Sequence, residues 1–201
     1  MKNGFRFFTV FLLLLFSAGS LVQQAAQSSA KMSGLQIRAL ASYGLRSMKD
    51  DSVSRTYGQS GIYGFNLSLA FLRNFLIGCG YEGGYEAVGL IGNYQEESSL
   101  SLKGLEFFSG LQFKSTGLAP FVLAGLAHFS YRQQVKSIYA PGIKSEKTAP
   151  FLAVGLNFFL FRGVFFSGRL KYQPLKVKPL EHEVDLGGLS MTVGVGYAVN
   201  L

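Results

Sequence analysis

The chain has 201 residues and a formal charge of +8; it is 48% hydrophobic and 14% aromatic, with 25 glycines, one cysteine and no tryptophan, yet only 15% of it is charged. A soluble domain usually carries about 25% charged residues to cover its surface, so a water-clad globule is a poor fit. One cysteine excludes an internal disulfide.

Lys2 and Arg6 precede an apolar run from Phe7 to Phe16, followed by small and polar residues from Ser17. This reads as a secretory signal peptide over residues 1–26, with cleavage between 20 and 30, which leaves 27–201 as the mature domain. No later apolar run reaches the roughly 18 to 20 residues that a membrane-spanning helix needs. Without Lys2 and Arg6 the mature chain keeps a charge of +6.

Hydrophobicity is instead dispersed by alternation, the period of a β-strand. Eight such segments follow. The first, about 34–46, sets Leu35, Ile37, Ala39, Ala41, Tyr43 and Leu45 against Gln36, Arg38, Leu40, Ser42 and Gly44. The second, from about Gly61, opposes Tyr63, Phe65, Leu67, Leu69 and Phe71 to Gly64, Asn66, Ser68 and Ala70. After Arg73-Asn74 the third opposes Phe75, Ile77, Cys79, Tyr81 and Tyr85 to Gly78, Gly80, Glu82, Gly84 and Glu86. The fourth, about 99–115, changes phase at Lys103-Gly104, where a β-bulge is expected. In the fifth, about 118–132, Phe121, Leu123, Ala127, Phe129 and Tyr131 oppose Ala124, His128, Ser130 and Arg132. The sixth places Leu152, Val154, Leu156, Phe158 and Leu160 on one face, and the seventh opposes Val164, Phe166, Leu170 and Tyr172 to Ser167, Arg169, Lys171 and Gln173. The last, Leu189 to Leu201, has large apolar residues at every odd position.

Short connections alternate with long ones, at about 47–60, 89–98, 133–147 and 174–187. Eight strands with short turns at one end and long loops at the other make an all-β, antiparallel up-and-down barrel of the transmembrane kind, with both termini on the turn side. A lipocalin-type barrel would put its apolar face inside. Here the polar face is crowded with Gly, Ala and Ser, which suits a narrow interior, so Phe and Tyr are assigned to lipid and its interfaces.

The ending Gly196-x-x-Val199-x-Leu201 resembles the C-terminal assembly signal of bacterial outer-membrane barrels, with Leu201 where an aromatic residue is usual. Across the mature chain the architecture resembles the small eight-stranded, porin-like outer-membrane barrels such as OmpX and the transmembrane domain of OmpA. The resemblance implies an outer-membrane location, lipopolysaccharide as neighbour, and the barrel assembly machinery and periplasmic chaperones as folding partners. It also implies a monomer that binds neither cofactor nor nucleic acid. Members of this class act as structural or surface-interaction proteins, and some modify lipid.

By phase, Arg38, Glu82, Glu86, Glu106, Arg169 and Lys171, with Lys114 beside them, project into the lumen. Isolated charges there would be costly, so interlocking ion pairs that plug the barrel are expected. Eight strands enclose room for side chains only, which leaves an ion or small-solute path as the weaker reading. His128-Phe129-Ser130 resembles the His-x-Ser of PagL-type lipid A deacylases, with Glu146 as a third member. In that family the pair faces lipid, whereas the phase of this strand puts His128 and Ser130 in the lumen, so a non-enzymatic barrel is expected. His182 lies in a charged loop, where a solvated position outweighs a metal site. Arg46, Lys49, Arg55, Lys136, Lys144, Lys147, Lys176 and Lys178 form a basic collar suited to lipid A phosphates. Tyr43, Tyr57, Tyr63, Tyr85, Tyr94, Tyr131, Tyr139 and Tyr172 are candidates for an aromatic girdle.

Overall fold

The computed structural model describes residues 35–72, 74–91, 95–113, 117–136, 142–160, 162–177 and 184–201. The expected signal peptide, Lys114, Tyr94, Tyr139, Lys178 and His182 lie outside the described residues. Alternating segments become strands because period-2 patterning lets one face of each be buried while the backbone pairs sideways. They are β1 (Gln36–Met48), β2 (Ser60–Phe71), β3 (Phe75–Ile91), β4 (Glu96–Gln112), β5 (Leu118–Val135), β6 (Ile143–Phe159), β7 (Val164–Gln173), β8 (Lys176–Val177), β9 (Val184–Asp185) and β10 (Gly188–Asn200). Eight of them close into an antiparallel barrel in the cyclic order β1-β10-β7-β6-β5-β4-β3-β2, while β8 and β9 pair as a small hairpin in the last loop. The seam runs in unbroken register from Gln36 opposite Asn200 to Met48 opposite Gly188.

The strands outrun the alternation that announces them. β5 and β6 pair from Leu118 opposite Phe158 up to Gln133 opposite Ile143, so most of the expected loop 133–147 is ladder. Likewise β3 and β4 pair out to Ile91 opposite Glu96, within the loop expected over 89–98. Polar outward residues mark where the apolar belt stops; the hydrogen-bond ladder continues past it.

The first loop contains a short helix unforeseen in the sequence, α1 (Asp51–Tyr57), capped by the Asp50 carboxylate, which accepts from the Ser52 and Val53 amides. Its Val53 is buried, and the Tyr57 hydroxyl lies 2.8 Å from Ser98 Oγ and accepts from Gln133 Nε2 at 2.9 Å. Together with Leu175, Val177 and Leu186, α1 closes the loop end of the barrel with an apolar cluster.

Two expectations about phase are corrected. The bulge is on β3: Gly83 and Gly84 together oppose Lys103, and Gly84 takes φ +85°. β4 keeps one phase, with Leu100, Leu102, Gly104, Glu106 and Phe108 all buried, while β3 reverses, so that Tyr85 turns inward and Glu86 outward. β5 also has the phase opposite to that expected. Phe121, Leu123, Ala127, Phe129 and Tyr131 are buried, and His128 is exposed on the outside.

The interior accommodates five phenylalanines because each sits opposite a glycine. Phe108 lies opposite Gly78, Phe129 opposite Gly104, Phe121 opposite Gly155, Phe151 opposite Gly125 and Phe165 opposite Gly196. A Cβ at Gly196 would come within 2.3 Å of the Phe165 ring, and one at Gly104 within 2.6 Å of Phe129. The glycine-rich face therefore supplies the space that the neighbouring strand's ring fills. Of the girdle candidates, Tyr43, Tyr63 and Tyr172 point outward, whereas Tyr85 and Tyr131 are buried inside.

Two outcomes are expected. Gly84→Ala puts a Cβ 2.6 Å from the Tyr63 ring and strains a left-handed backbone. A loss of about 1–3 kcal/mol should appear in urea titrations of the heat-modifiable folded band, and an unchanged midpoint would place the bulge elsewhere. The Ser52 hydroxyl, followed by backbone amides, holds the Asp50 carboxyl below its usual value. Because a lowered carboxyl stabilises the fold above its unfolded pKa of about 3.9, and that contribution fades as pH falls through the folded value, amide protection in α1 should drop on acidification. Asp50→Ala should abolish this pH dependence.

Candidate functional site

Inside the barrel, alternation on β1, β3, β4 and β7 aims charged side chains at one another across the lumen. Lys171 is central: its Nζ donates to both Glu82 and Glu106. Arg46 Nη1 meets Glu82 Oε1 at 2.6 Å, and Arg169 Nη1 meets Glu106 Oε2 at 3.2 Å. Rings close over the chain of charges, with Arg46 5.0 Å from the centroid of Phe129, and Lys171 5.8 Å from Phe129 and 5.6 Å from Phe151. Cations against ring faces in a dry interior gain from the quadrupole as well as from the carboxylates.

Of the residues expected in this cluster, the structure brings Glu82, Glu106, Arg169 and Lys171 together. Arg38 is buried but separate: its Nε donates to Gln36 Oε1 at 2.5 Å and its Nη1 to Gln112, both neutral, and its guanidinium lies 5.1 Å from the Phe159 centroid. Glu86 is absent from the cluster, since the Gly83-Gly84 bulge turns it to the exposed outer face. Arg46, expected in the collar, is 1% exposed and belongs to the cluster. The signal for it was available, because Arg46 continues the parity of Arg38, Ser42 and Gly44 on the first strand.

A second group sits on the outside, just above the apolar belt, where β4, β5 and β6 run side by side. In register, Lys103, Ser130 and Glu146 form one row, and Leu105, His128 and Thr148 the row beneath. The His128 imidazole lies between two partners, with Nε2 3.5 Å from Glu146 Oε2 and Nδ1 3.0 Å from Thr148 Oγ1. Ser130 shares their face two residues along β5, but the hydroxyl in hydrogen-bond reach of the imidazole is that of Thr148. A carboxylate, an imidazole and a hydroxyl in sequence form an acid–base relay in principle. Thr148 was missed in the sequence because the segment around it reads as loop. Both His128 and Glu146 are about half exposed.

The other collar residues are ordinary surface groups: Lys136 pairs with Glu97 at 2.8 Å, Lys49 lies 3.9 Å from Asp185, and Arg55, Lys144, Lys147 and Lys176 are exposed. No cluster of metal-ligating side chains occurs among the described residues. On β10, Gly196 receives the Phe165 ring and Val199 is exposed, as is Leu201 just past the strand's end. A further concavity lies at neither cluster. It is an outward apolar groove of about 440 Å³ beside Gly168, lined by Val154, Leu156, Phe166, Leu170 and Val193.

No protein-family model and no curated protein sequence matches the chain. Among solved structures it is similar to the outer membrane protein OprG of Pseudomonas aeruginosa, with a TM-score of 0.62, 11% identity, and coverage of 84% of this chain and 97% of that one. It is also similar to Ail, the attachment invasion locus protein of Yersinia pestis, in complex with the heparin analogue sucrose octasulfate, with a TM-score of 0.57, 15% identity, and coverage of 84% and 100%. The N-terminal β-barrel domain of Pseudomonas aeruginosa OprF matches with a TM-score of 0.50, 19% identity, and coverage of 81% and 97%. At these identities the likeness shows the fold, that of the small eight-stranded outer-membrane barrels.

Removing one member of a buried ion cluster leaves its partners uncompensated. Glu106→Gln takes the carboxylate partner from Arg169 and one of the two from Lys171, so a loss of about 3–5 kcal/mol is expected in urea unfolding followed by band shift. The variant that also carries Arg169→Met should recover much of that loss, because Lys171 keeps Glu82. Equal stability of the single variant and the native chain would refute the cluster.

Proposed function

We propose that the chain is an integral, monomeric β-barrel of the bacterial outer membrane. Its lumen is closed by side chains, and it acts at its loop end as a structural or surface-interaction protein. The observation that carries this reading is a belt of large apolar residues exposed on all eight barrel strands: Leu45, Phe65, Ile77, Phe107, Leu126, Leu152, Phe166 and Val195. A protein surrounded by water does not leave so continuous an apolar surface uncovered. Export by the leader and folding by the barrel assembly machinery, with Gly196, Val199 and Leu201 as the recognised ending, complete the proposal.

The lumen argues against a diffusion pore. Phe108, Phe121, Phe129, Phe151 and Phe165 cross it, the Lys171 cluster bridges it, and α1 with Leu175 and Leu186 fills its loop end. Lipopolysaccharide is the proposed neighbour of the loop end, where Arg55, Lys144, Lys147 and Lys176 offer charge to lipid A phosphates.

A second reading, hydrolysis of an ester in lipid A, is favoured by one observation. His128 faces outward, between Glu146 and Thr148. The orientation that counted against it in the sequence is reversed by the true phase of β5. Against it, the hydroxyl within reach of the imidazole is not that of Ser130, and both His128 and Glu146 are open to solvent.

Mass spectrometry of lipid A from cells with and without the protein separates the two readings. Unchanged acylation supports the first, whereas loss of an acyl chain that His128→Ala abolishes would replace it with the second. Thr148→Val against Ser130→Ala would then identify the nucleophile. Insertion has its own test: Phe107→Arg, at the middle of the belt, should lower stability in lipid by about 2–4 kcal/mol, and planar bilayers containing the native protein should show no conductance steps.

A further inference from the structure

The buried charges do not balance. Among the described residues the buried charged side chains are Arg38, Arg46, Arg169, Lys171, Glu82 and Glu106, four cations against two carboxylates. Glu82 and Glu106 are fully engaged by Arg46, Lys171 and Arg169. Toward the turn end remains Arg38, 3% exposed, whose bonds go to the neutral amide oxygens of Gln36 and Gln112. A guanidinium out of water without a counter-charge is costly by several kcal/mol.

Between Arg38 and Arg169 lies a lumen cavity of about 50 Å³, lined on its polar side by those two arginines with Asn66, Ser68, Asn157 and Ser167. Two of its buried polar atoms, Arg38 Nη2 and Ser167 Oγ, have no hydrogen-bond partner. Both are donors, and a hydroxyl and two guanidinium groups around one cavity present positive potential with no carboxylate on its wall. The volume is a few times the roughly 10–15 Å³ that a water-sized guest occupies. It admits a monatomic anion, with or without one water, and excludes a carboxylate-bearing sugar acid.

We propose that this cavity is a halide-binding site, in which a chloride ion held by Arg38, Ser167 and Arg169 supplies the counter-charge that the buried carboxylates do not. The site is internal and does not depend on what the loop end binds. Because the ion binds the folded barrel and not the unfolded chain, halide stabilises the fold by mass action. At a concentration about ten times the dissociation constant, the unfolding equilibrium constant falls about tenfold.

The test is urea unfolding of the refolded protein in uncharged detergent, at constant ionic strength, with sodium gluconate progressively replaced by sodium chloride or bromide. The midpoint should rise along a saturating curve with either halide. Arg38→Gln should fold, as judged by its heat-modifiable band, and lose that dependence. Should Arg38→Gln fail to fold, Ser167→Ala serves instead and should raise the half-saturating halide concentration. Lys136→Gln, at an exposed pair, should leave the curve unchanged. Crystals grown in bromide should give an anomalous peak in the cavity. Identical midpoints in gluconate and halide, a variant that keeps the native curve, or water alone in the cavity would each overturn the proposal.

Discussion

Closure of the hydrogen-bonded sheet is the constraint from which the remaining features follow. Once β1 pairs with β10 residue for residue over the seam, the sheet closes on itself there, and each side chain of the closed part must point either into a lumen of fixed width or outward. An eight-stranded lumen holds side chains and little else. The outward face is therefore free to be apolar, and the inward face becomes a packing problem in which volume and charge have to be satisfied locally.

The chain meets the volume requirement by setting glycine beside phenylalanine across adjacent strands, and the charge requirement by threading carboxylates between cations. These two devices meet at Phe129, whose ring fills the space beside Gly104 and carries Arg46 and Lys171 near its centroid. Neither requirement is met completely at the turn end, where Arg38 and Ser167 keep unpartnered donors beside a small cavity. That is the chemistry from which an internal anion site follows.

Strand number, antiparallel order, the ends bearing short and long connections, and the outward faces of β1, β2, β6, β7 and β10 were legible in the sequence, because in those segments one parity holds most of the large apolar residues and the other most of the polar and small ones. β5 was not. Phe121, Leu123 and Phe129 alternate with Val122, Ala124 and Leu126, so both faces are apolar and periodicity alone cannot tell which is inside. The deciding partners, Gly104 and Gly155, lie on other strands. On β3 the double glycine at 83–84 allowed a phase reversal that local pattern assigned to the facing strand. Glu86 and Tyr85 were thereby exchanged, and the same kind of error on β5 hid the outward His128 group. The lumen charges on β7 and the lower halves of β3 and β4 were readable because no bulge separates them from the alternation that defines their face.

Which parity faces outward is the central claim, and the single cysteine tests it directly. Cys79 is exposed on β3, flanked in register by Leu67 and Phe107 in the apolar belt. A nitroxide attached to Cys79 in lipid vesicles should collide readily with dissolved oxygen and hardly at all with a water-soluble nickel chelate. Strong access by the chelate would contradict the account, since it would place the belt in water.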